Sequence, residues 1–176
     1  MRQSVGSSES SARSRRQPTD EKARRGEDLA CLRPTDVIFD LNASTKEGVL
    51  REIARVVAAR HDLAMADVCA GLGERERLGS TALGQGVAIP HARVKGLDRP
   101  IVVFVRMRFP ISFEAPDGKP VGSMLVLLVP QLATDMHLAL LAQGAEMFCD
   151  PSFRDVLRTC SDADAIASAF ARWPAH

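Results

Sequence analysis

The chain has 176 residues, 45% of them hydrophobic, and a formal net charge of +1 at pH 7. That length and apolar content suit one domain with a real core and exclude collagen-like and wholly disordered classes, while the near-neutral charge argues against nucleic acid as a partner. No apolar run reaches the ~20 residues of a membrane span and the start lacks the apolar centre of a secretory signal, so a cytoplasmic protein without membrane insertion is expected.

Residues 1–30 are rich in Ser, Arg, Gln and Glu, with Val5 almost the only aliphatic side chain before Arg25. Burial there cannot offset the entropy of ordering, so a disordered tail over 1–30 and one folded domain over 31–173 are expected. A basic arm for RNA or membrane, or residues upstream of the true translation start, are alternatives for the tail, although Glu9, Asp20, Glu21, Glu27 and Asp28 dilute its charge.

A short strand is expected in residues 32–41, around Val37, Ile38 and Phe39 and after Pro34. Ser44 or Thr45 then caps a helix whose Val49, Leu50, Ile53, Val56 and Val57 form one apolar face, and His61 and Asp62 mark its end. A second helix, from about Met65 to Arg75, turns Val68, Cys69 and Leu72 inward and breaks at Gly79. The charged turn Glu74, Arg75, Glu76, Arg77 reads as a solvated face, with Arg75 a surface arginine.

Residues 84–93, GQGVAIPHAR, deliver a histidine to the end of an apolar run. Gly84 and Gly86 permit backbone angles closed to other residues, and residues 87–89 have strand character. Pro90 lacks an N–H and biases Ile89 toward extended geometry, so the chain is expected to leave the sheet there, with His91 at a strand's end. Ligands bind at such ends in α/β domains.

Residues 100–105, PIVVFV, and 123–129, SMLVLLV, are continuous apolar runs of buried-strand type, the second ended by Pro130. Between them residues 109–113 alternate as an edge segment, and Asp117-Gly118 signals a hairpin turn. Thr134 or Asp135 caps a helix to about Phe148 with Leu140, Leu141, Ala145 and Phe148 on one face, which His137 shares. After Asp150-Pro151 come a short helix carrying Phe153, Val156 and Leu157 and a last helix capped by Ser161 with Asp164, its Ile166, Phe170 and Trp173 inward. This pattern predicts an α/β sandwich, a mixed β-sheet with helices on both faces.

Nucleotide motifs are absent: Ser80 follows Gly79 where a Walker lysine belongs, and Gly71-Leu72-Gly73 lacks the third glycine of a dinucleotide fingerprint. There is no G-x-S-x-G elbow and no paired H-x-x-x-H. Cys31, Cys69, Cys149 and Cys160 have no C-x-x-C pairing or regular spacing, so reduced and mostly buried thiols are expected rather than a zinc site or disulfides. His61 and His176 look incidental. His91 and His137 each follow a strand end, and two such ends can lie side by side and share a pocket; a structural or surface role is the alternative for His91 and the commoner reading for His137.

Several motifs in order, RERLGSTALGQGVAIPHAR, RFPISFEAPDGKPV, MLVLLVP and PQLATDMHLALL, resemble the enzyme IIA domain of fructose/mannitol type in the bacterial phosphotransferase system, above all its stand-alone nitrogen-related branch. The likeness spans about Asp36 to Phe170. It implies an α/β sandwich and phosphoryl relay, with no cofactor and no metal. It places His91 at the phosphoryl acceptor, with Nε2 the nitrogen used, His137 at the second pocket histidine, and Arg75 at the cation that opens the R-E-x-x-G-S motif and clamps phosphoryl oxygens. Gln85, Ala82 and Ala92 depart from the usual Asn, Gly and Gly. The implied donor is a protein similar to the histidine-containing phosphocarrier, and the implied outputs are regulatory target proteins or an enzyme IIB. A silent binding module of the same fold is the alternative. Backbone N–H groups of the glycine loop are further candidates, as an anion nest.

Overall fold

The structure is a computed structural model and describes residues 29, 32–132 and 135–173. Apart from Leu29, the expected tail lies outside the described residues. Leu29 is fully buried, its N–H donates to Gln143 Oε1 at 3.0 Å, and the core thus starts two residues before the expected domain boundary.

A 3₁₀ turn at Pro34–Asp36 leads into strand β1, Val37–Leu41. Helix α1, Lys46–His61, starts at Thr45, whose side chain accepts from Gly48 N, and stops where Asp62 turns left-handed at φ 54°. Helix α2 spans Met65–Arg77, so the charged turn is its last turn. The remaining strands are β2, Ala82–Gly84; β3, Val87–Ala88; β4, His91–Val94; β5, Ile101–Ile111; and β6, Val121–Pro130. Helices α3, Asp135–Cys149; α4, Pro151–Thr159; and α5, Ala163–Ala171, complete the chain.

The six strands form one mixed sheet in the order β1-β5-β6-β3-β2, with β4 also on β6. β1 runs parallel to β5, β5 and β6 form the expected antiparallel hairpin, and β3 and β4 run parallel to β6. Alternation along the central strands splits the core between two faces. Ile38, Val103, Val105, Val126 and Leu128 pack under α1 and α2, while Val37, Val102, Phe104, Leu125 and Leu127 pack under α3, α4 and α5. The expected sandwich with helices on both faces is the observed one.

Pro90 does not take the chain out of the sheet. Ala88 pairs with Met124 and His91 with Leu127, the same offset on either side of the proline, so β3 and β4 are one strand broken at its middle. Pro90 has no N–H to give, but its carbonyl still accepts from Leu127 N at 3.0 Å, and on an edge strand the missing donor costs no ladder bond. His91 therefore opens a strand instead of ending one.

Other local expectations shift too. Val156 is 45% exposed, because only Phe153 and Leu157 of α4 reach the core. Asp162, not Ser161, caps α5, accepting from Ala165 N at 2.8 Å. Among the described cysteines, Cys149 is exposed and Cys69 and Cys160 are half-buried, so the thiols are not mostly buried. His61 is not incidental: its Nε2 lies 2.9 Å from Asp36 Oδ1, where it pairs a buried carboxylate. His176 and Thr134 lie outside the described residues.

Candidate functional site

The break at Pro90 sets the orientation of His91. Ile89 belongs to the core face under α3 to α5, while Ala92 and Val94 belong to the opposite face, under α1 and α2. By alternation His91 and Arg93 project on the α3 side of the sheet. Among the described residues no strand lies beyond β4, so His91 stands at a sheet edge that side chains from both faces can reach.

They do reach it. Arg75, in the last turn of α2 on one face, extends round the edge, and its Nε donates to His91 Nε2 at 2.9 Å while Nη1 donates to Gly79 O at 3.0 Å. His137, in the first turn of α3 on the other face, brings its ring to 5.2 Å from that of His91, centroid to centroid. Arg75, His91 and His137 thus meet, with Gly71, Glu74, Arg77, Leu78, Ala92 and Arg93, around a cleft of about 740 Å3.

The hydrogen bonds define the tautomer of His91. Nδ1 lies 2.8 Å from Ile89 O, which can only accept, so Nδ1 carries the proton. A guanidinium N–H can only donate, so Nε2 presents its lone pair. Burial foremost, then the charge of Arg75 and the second imidazole, hold the His91 pKa below its ordinary 6.5, against the opposing bond to Ile89 and the Glu76 carboxylate. His137 is lowered likewise, by burial, then Arg93, then Arg75. Its Nδ1 is buried without a hydrogen-bond partner among the described residues.

Two supporting features escaped the sequence reading. Glu76 is 6% exposed, not solvated: its carboxylate accepts from Thr81 N at 3.2 Å, from Thr81 Oγ1 at 2.6 Å and from Lys46 Nζ at 3.1 Å. This ties the end of α2, and with it Arg75, to the segment entering β2 and to the start of α1. The visible signal was an i to i+5 pairing of Glu with Thr across Gly79, outside any helix-face pattern. The other feature is Gly71, where a Cβ would lie 3.1 Å from Ala92 Cβ, so α2 packs directly on β4.

The glycine loop supplies no anion nest. Gly84, Gln85 and Gly86 all have positive φ, 87°, 55° and 80°, and build the tight β2–β3 turn. Gln85 N donates to Asp117 Oδ2 at 2.8 Å, and none of the three lines the cleft. Among the described residues no three His, Cys, Asp or Glu side chains gather as a metal-binding group, and no helix is long and apolar enough to cross a membrane.

A broken edge strand presenting an Nδ1-protonated imidazole between an arginine and a second imidazole is a site suited to receiving an anionic electrophile. Residues 30–173 match the family described as phosphoenolpyruvate-dependent sugar phosphotransferase system, EIIA 2, and the chain belongs to that family. It is 39% identical over 136 residues to a nitrogen regulatory protein of Pseudomonas aeruginosa, covering 77% of this chain and 88% of the relative. With a nitrogen regulatory protein of Bradyrhizobium diazoefficiens it shares 37% over 145 residues, 81% and 93% of the two chains. The fold superposes on the crystal structure of nitrogen regulatory protein IIA-Ntr from Neisseria meningitidis with a TM-score of 0.76 at 38% identity, covering 81% of this chain and 98% of that one.

Proposed function

We propose that this chain is a cytoplasmic phosphocarrier of the nitrogen-related branch of the phosphotransferase system, whose domain over residues 31–173 accepts a phosphoryl group on His91 Nε2. The observation that carries the reading is the pair of opposed bonds on His91, Nδ1 to Ile89 O and Nε2 from Arg75 Nε. The donor is a phosphohistidine protein similar to the histidine-containing phosphocarrier. The branch is supported by 39% and 37% identity to nitrogen regulatory proteins.

In the transfer, the Nε2 lone pair of His91 attacks phosphorus as the donor's N–P bond breaks, and the donor imidazole keeps the bonding pair. The attacking ring gains positive charge, which the Nδ1–H bond to Ile89 O stabilises. A loose phosphoryl transition state spreads negative charge over its equatorial oxygens, so the protein's task is positioning and charge stabilisation. Arg75 occupies Nε2 before the reaction and transfers its donor to a phosphoryl oxygen as the N–P bond forms. Its planar fork suits two such oxygens. His137 stands on the other side of the ring as a second donor.

The test is to incubate the protein with phosphoenolpyruvate, enzyme I and the donor phosphocarrier and to weigh it. An acid-labile, base-stable phosphoryl mass on the wild type and none on His91→Ala is the expected result; labelling that persists in His91→Ala overturns the assignment. Partner sets that differ between the wild type and His91→Ala mark the regulatory role. An enzyme IIB that takes the label onto a cysteine, with sugar uptake depending on it, would move the chain to the relay branch.

A further inference from the structure

Three charged groups in the cleft are unused by the reading above, Glu74, Arg77 and Arg93, and the last shares a strand with His91. Arg93 lies two residues after His91 on β4, so both side chains leave the same face of the strand. It lines the cleft with Arg75, His91 and His137. Among the described residues its guanidinium makes no hydrogen bond or ion pair, whereas Arg75 is held by His91 and Gly79, and Arg77 by Gly73 O at 3.2 Å. The one carboxylate in the lining, Glu74, pairs with none of the three arginines.

The two walls that carry Arg75 and Arg93 cannot drift apart freely. Helix α2 touches β4 at Gly71, where a Cβ would meet Ala92 Cβ at 3.1 Å and the carbonyl oxygen of Arg93 itself at 3.4 Å. β4 in turn is paired to β6 residue by residue, Arg93 with Val129. Arg75 therefore reaches His91 from the α2 side of the sheet edge, while Arg93 leaves β4 on the α3 side, where its charge falls on His137.

We propose that Arg93 is a second phosphoryl-oxygen ligand, closing on the group carried by His91 from the face opposite Arg75. The inference rests on His91 being the phosphoryl acceptor. Two guanidiniums on opposite sides can each take an oxygen that the other cannot reach, and each strengthens as charge gathers on the group. The field of Arg93 already falls on His137, whose pKa it helps to lower. A phosphoryl dianion between them offsets that field and lets His137 take up a proton as a donor, which gives its buried, unpartnered Nδ1 a role in the phosphorylated state.

The experiment follows the phosphoryl group's own titration by 31P NMR. His91 is labelled by the protein relay and, separately, by phosphoramidate, whose P–N bond breaks as the His91 N–P bond forms and ammonia leaves. The charged groups facing the label are Arg75, Arg77 and Glu74 from α2, Arg93 from β4 and His137 from α3. A guanidinium on the oxygens favours the dianion, so Arg93→Gln is expected to raise the pKa of the phosphoryl group by about half a unit, tempered by the exposure of Arg93. It should also shift the equilibrium with the donor about fivefold toward the donor, with Arg93→Lys in between. Lys95→Gln, an equal charge change outside the cleft lining, should move neither. An unchanged phosphoryl titration in Arg93→Gln, or an equal change in Lys95→Gln, overturns the proposal. Labelling by phosphoramidate but not by the relay sinks the phosphocarrier reading while leaving Arg93 to be scored, and no label on His91 by either route sinks both.

Discussion

Arg75 Nε and His91 Nε2 are 2.9 Å apart, so the imidazole nitrogen that bears the lone pair is hydrogen-bonded to a cation before any phosphate arrives. The other nitrogen is anchored 2.8 Å from Ile89 O. In the proposed transfer, one bond sets which atom reacts, and the other places beside that atom the charge that the incoming oxygens need.

Removing the cation should slow the reaction more than it weakens the fold. Among the described residues Arg75 hydrogen-bonds only to His91 and Gly79 O, so Arg75→Ala is expected to reduce the rate of His91 labelling by about 100-fold, in the range found when a positioned donor to a developing anion is lost. Arg75→Lys should recover part of it, because an ammonium cannot bridge Nε2 and the Gly79 carbonyl as the guanidinium fork does. Single-turnover labelling with the phosphorylated donor measures both; rates within threefold of wild type would contradict a clamp.

Acid should act on both imidazoles in one direction. His91 and His137 have pKa values lowered below 6.5, in each case chiefly by burial. The neutral ring is the nucleophile, so labelling should hold steady below pH 6.5 and fall only through the depressed pKa. For stability the sign is that of a group binding fewer protons folded than unfolded. Its contribution is complete above 6.5 and is lost as pH falls through the folded pKa. Urea unfolding from pH 7.5 to pH 5 should show this loss, and it should shrink in His91→Asn and in His137→Asn. Equal slopes in all three proteins would count against it.

His137→Ala is expected to give slower labelling or a shorter-lived phosphohistidine on His91, since a ring 5.2 Å away is lost from the pocket. Rate and lifetime equal to wild type would leave His137 with a structural role alone.

Glu76 is buried with three partners, Thr81 N, Thr81 Oγ1 and Lys46 Nζ. Glu76→Ala orphans both Thr81 donors and leaves Lys46 with Glu114 alone, and should cost about 3 kcal/mol in urea unfolding. Glu76→Gln keeps the shape but removes the negative charge that faces Lys46, and should cost less. Labelling of the folded Glu76→Gln protein should slow as well, because Arg75 loses the fixed end of its helix.

Gly71 and Ala92 form a coupled pair across α2 and β4. Gly71→Ala gains about 1 kcal/mol of helix propensity, but its Cβ would sit 3.1 Å from that of Ala92, which forces the two elements apart. The gain should therefore appear only in an Ala92→Gly background, with a coupling of about 1 kcal/mol in a double-mutant cycle. Additive effects would show that the contact relaxes freely.

How far the sequence reached depended on the range of the cause. Helix faces, the Thr45 cap, the apolar strands and the β5–β6 hairpin were legible because each follows from neighbours within a turn or a strand's length. The family motifs pointed to His91, Arg75 and His137, and all three line one cleft.

Three things were decided only by tertiary structure. Pro90 ended the strand in a local reading, yet β6 continues beneath it and holds His91 in register with Leu127. Glu76 looked solvated until Thr81 and Lys46, from other segments, surrounded it. Arg93, given no role in the sequence, acquired a position in the cleft only when α2 and α3 converged on the edge of β4. By itself the chain determined the helix faces and the strands, since local propensity and hydrophobic period are properties of short segments, and its motifs pointed to three side chains of the cleft. Which face each atom meets, and with what charge beside it, came from packing between residues far apart in sequence.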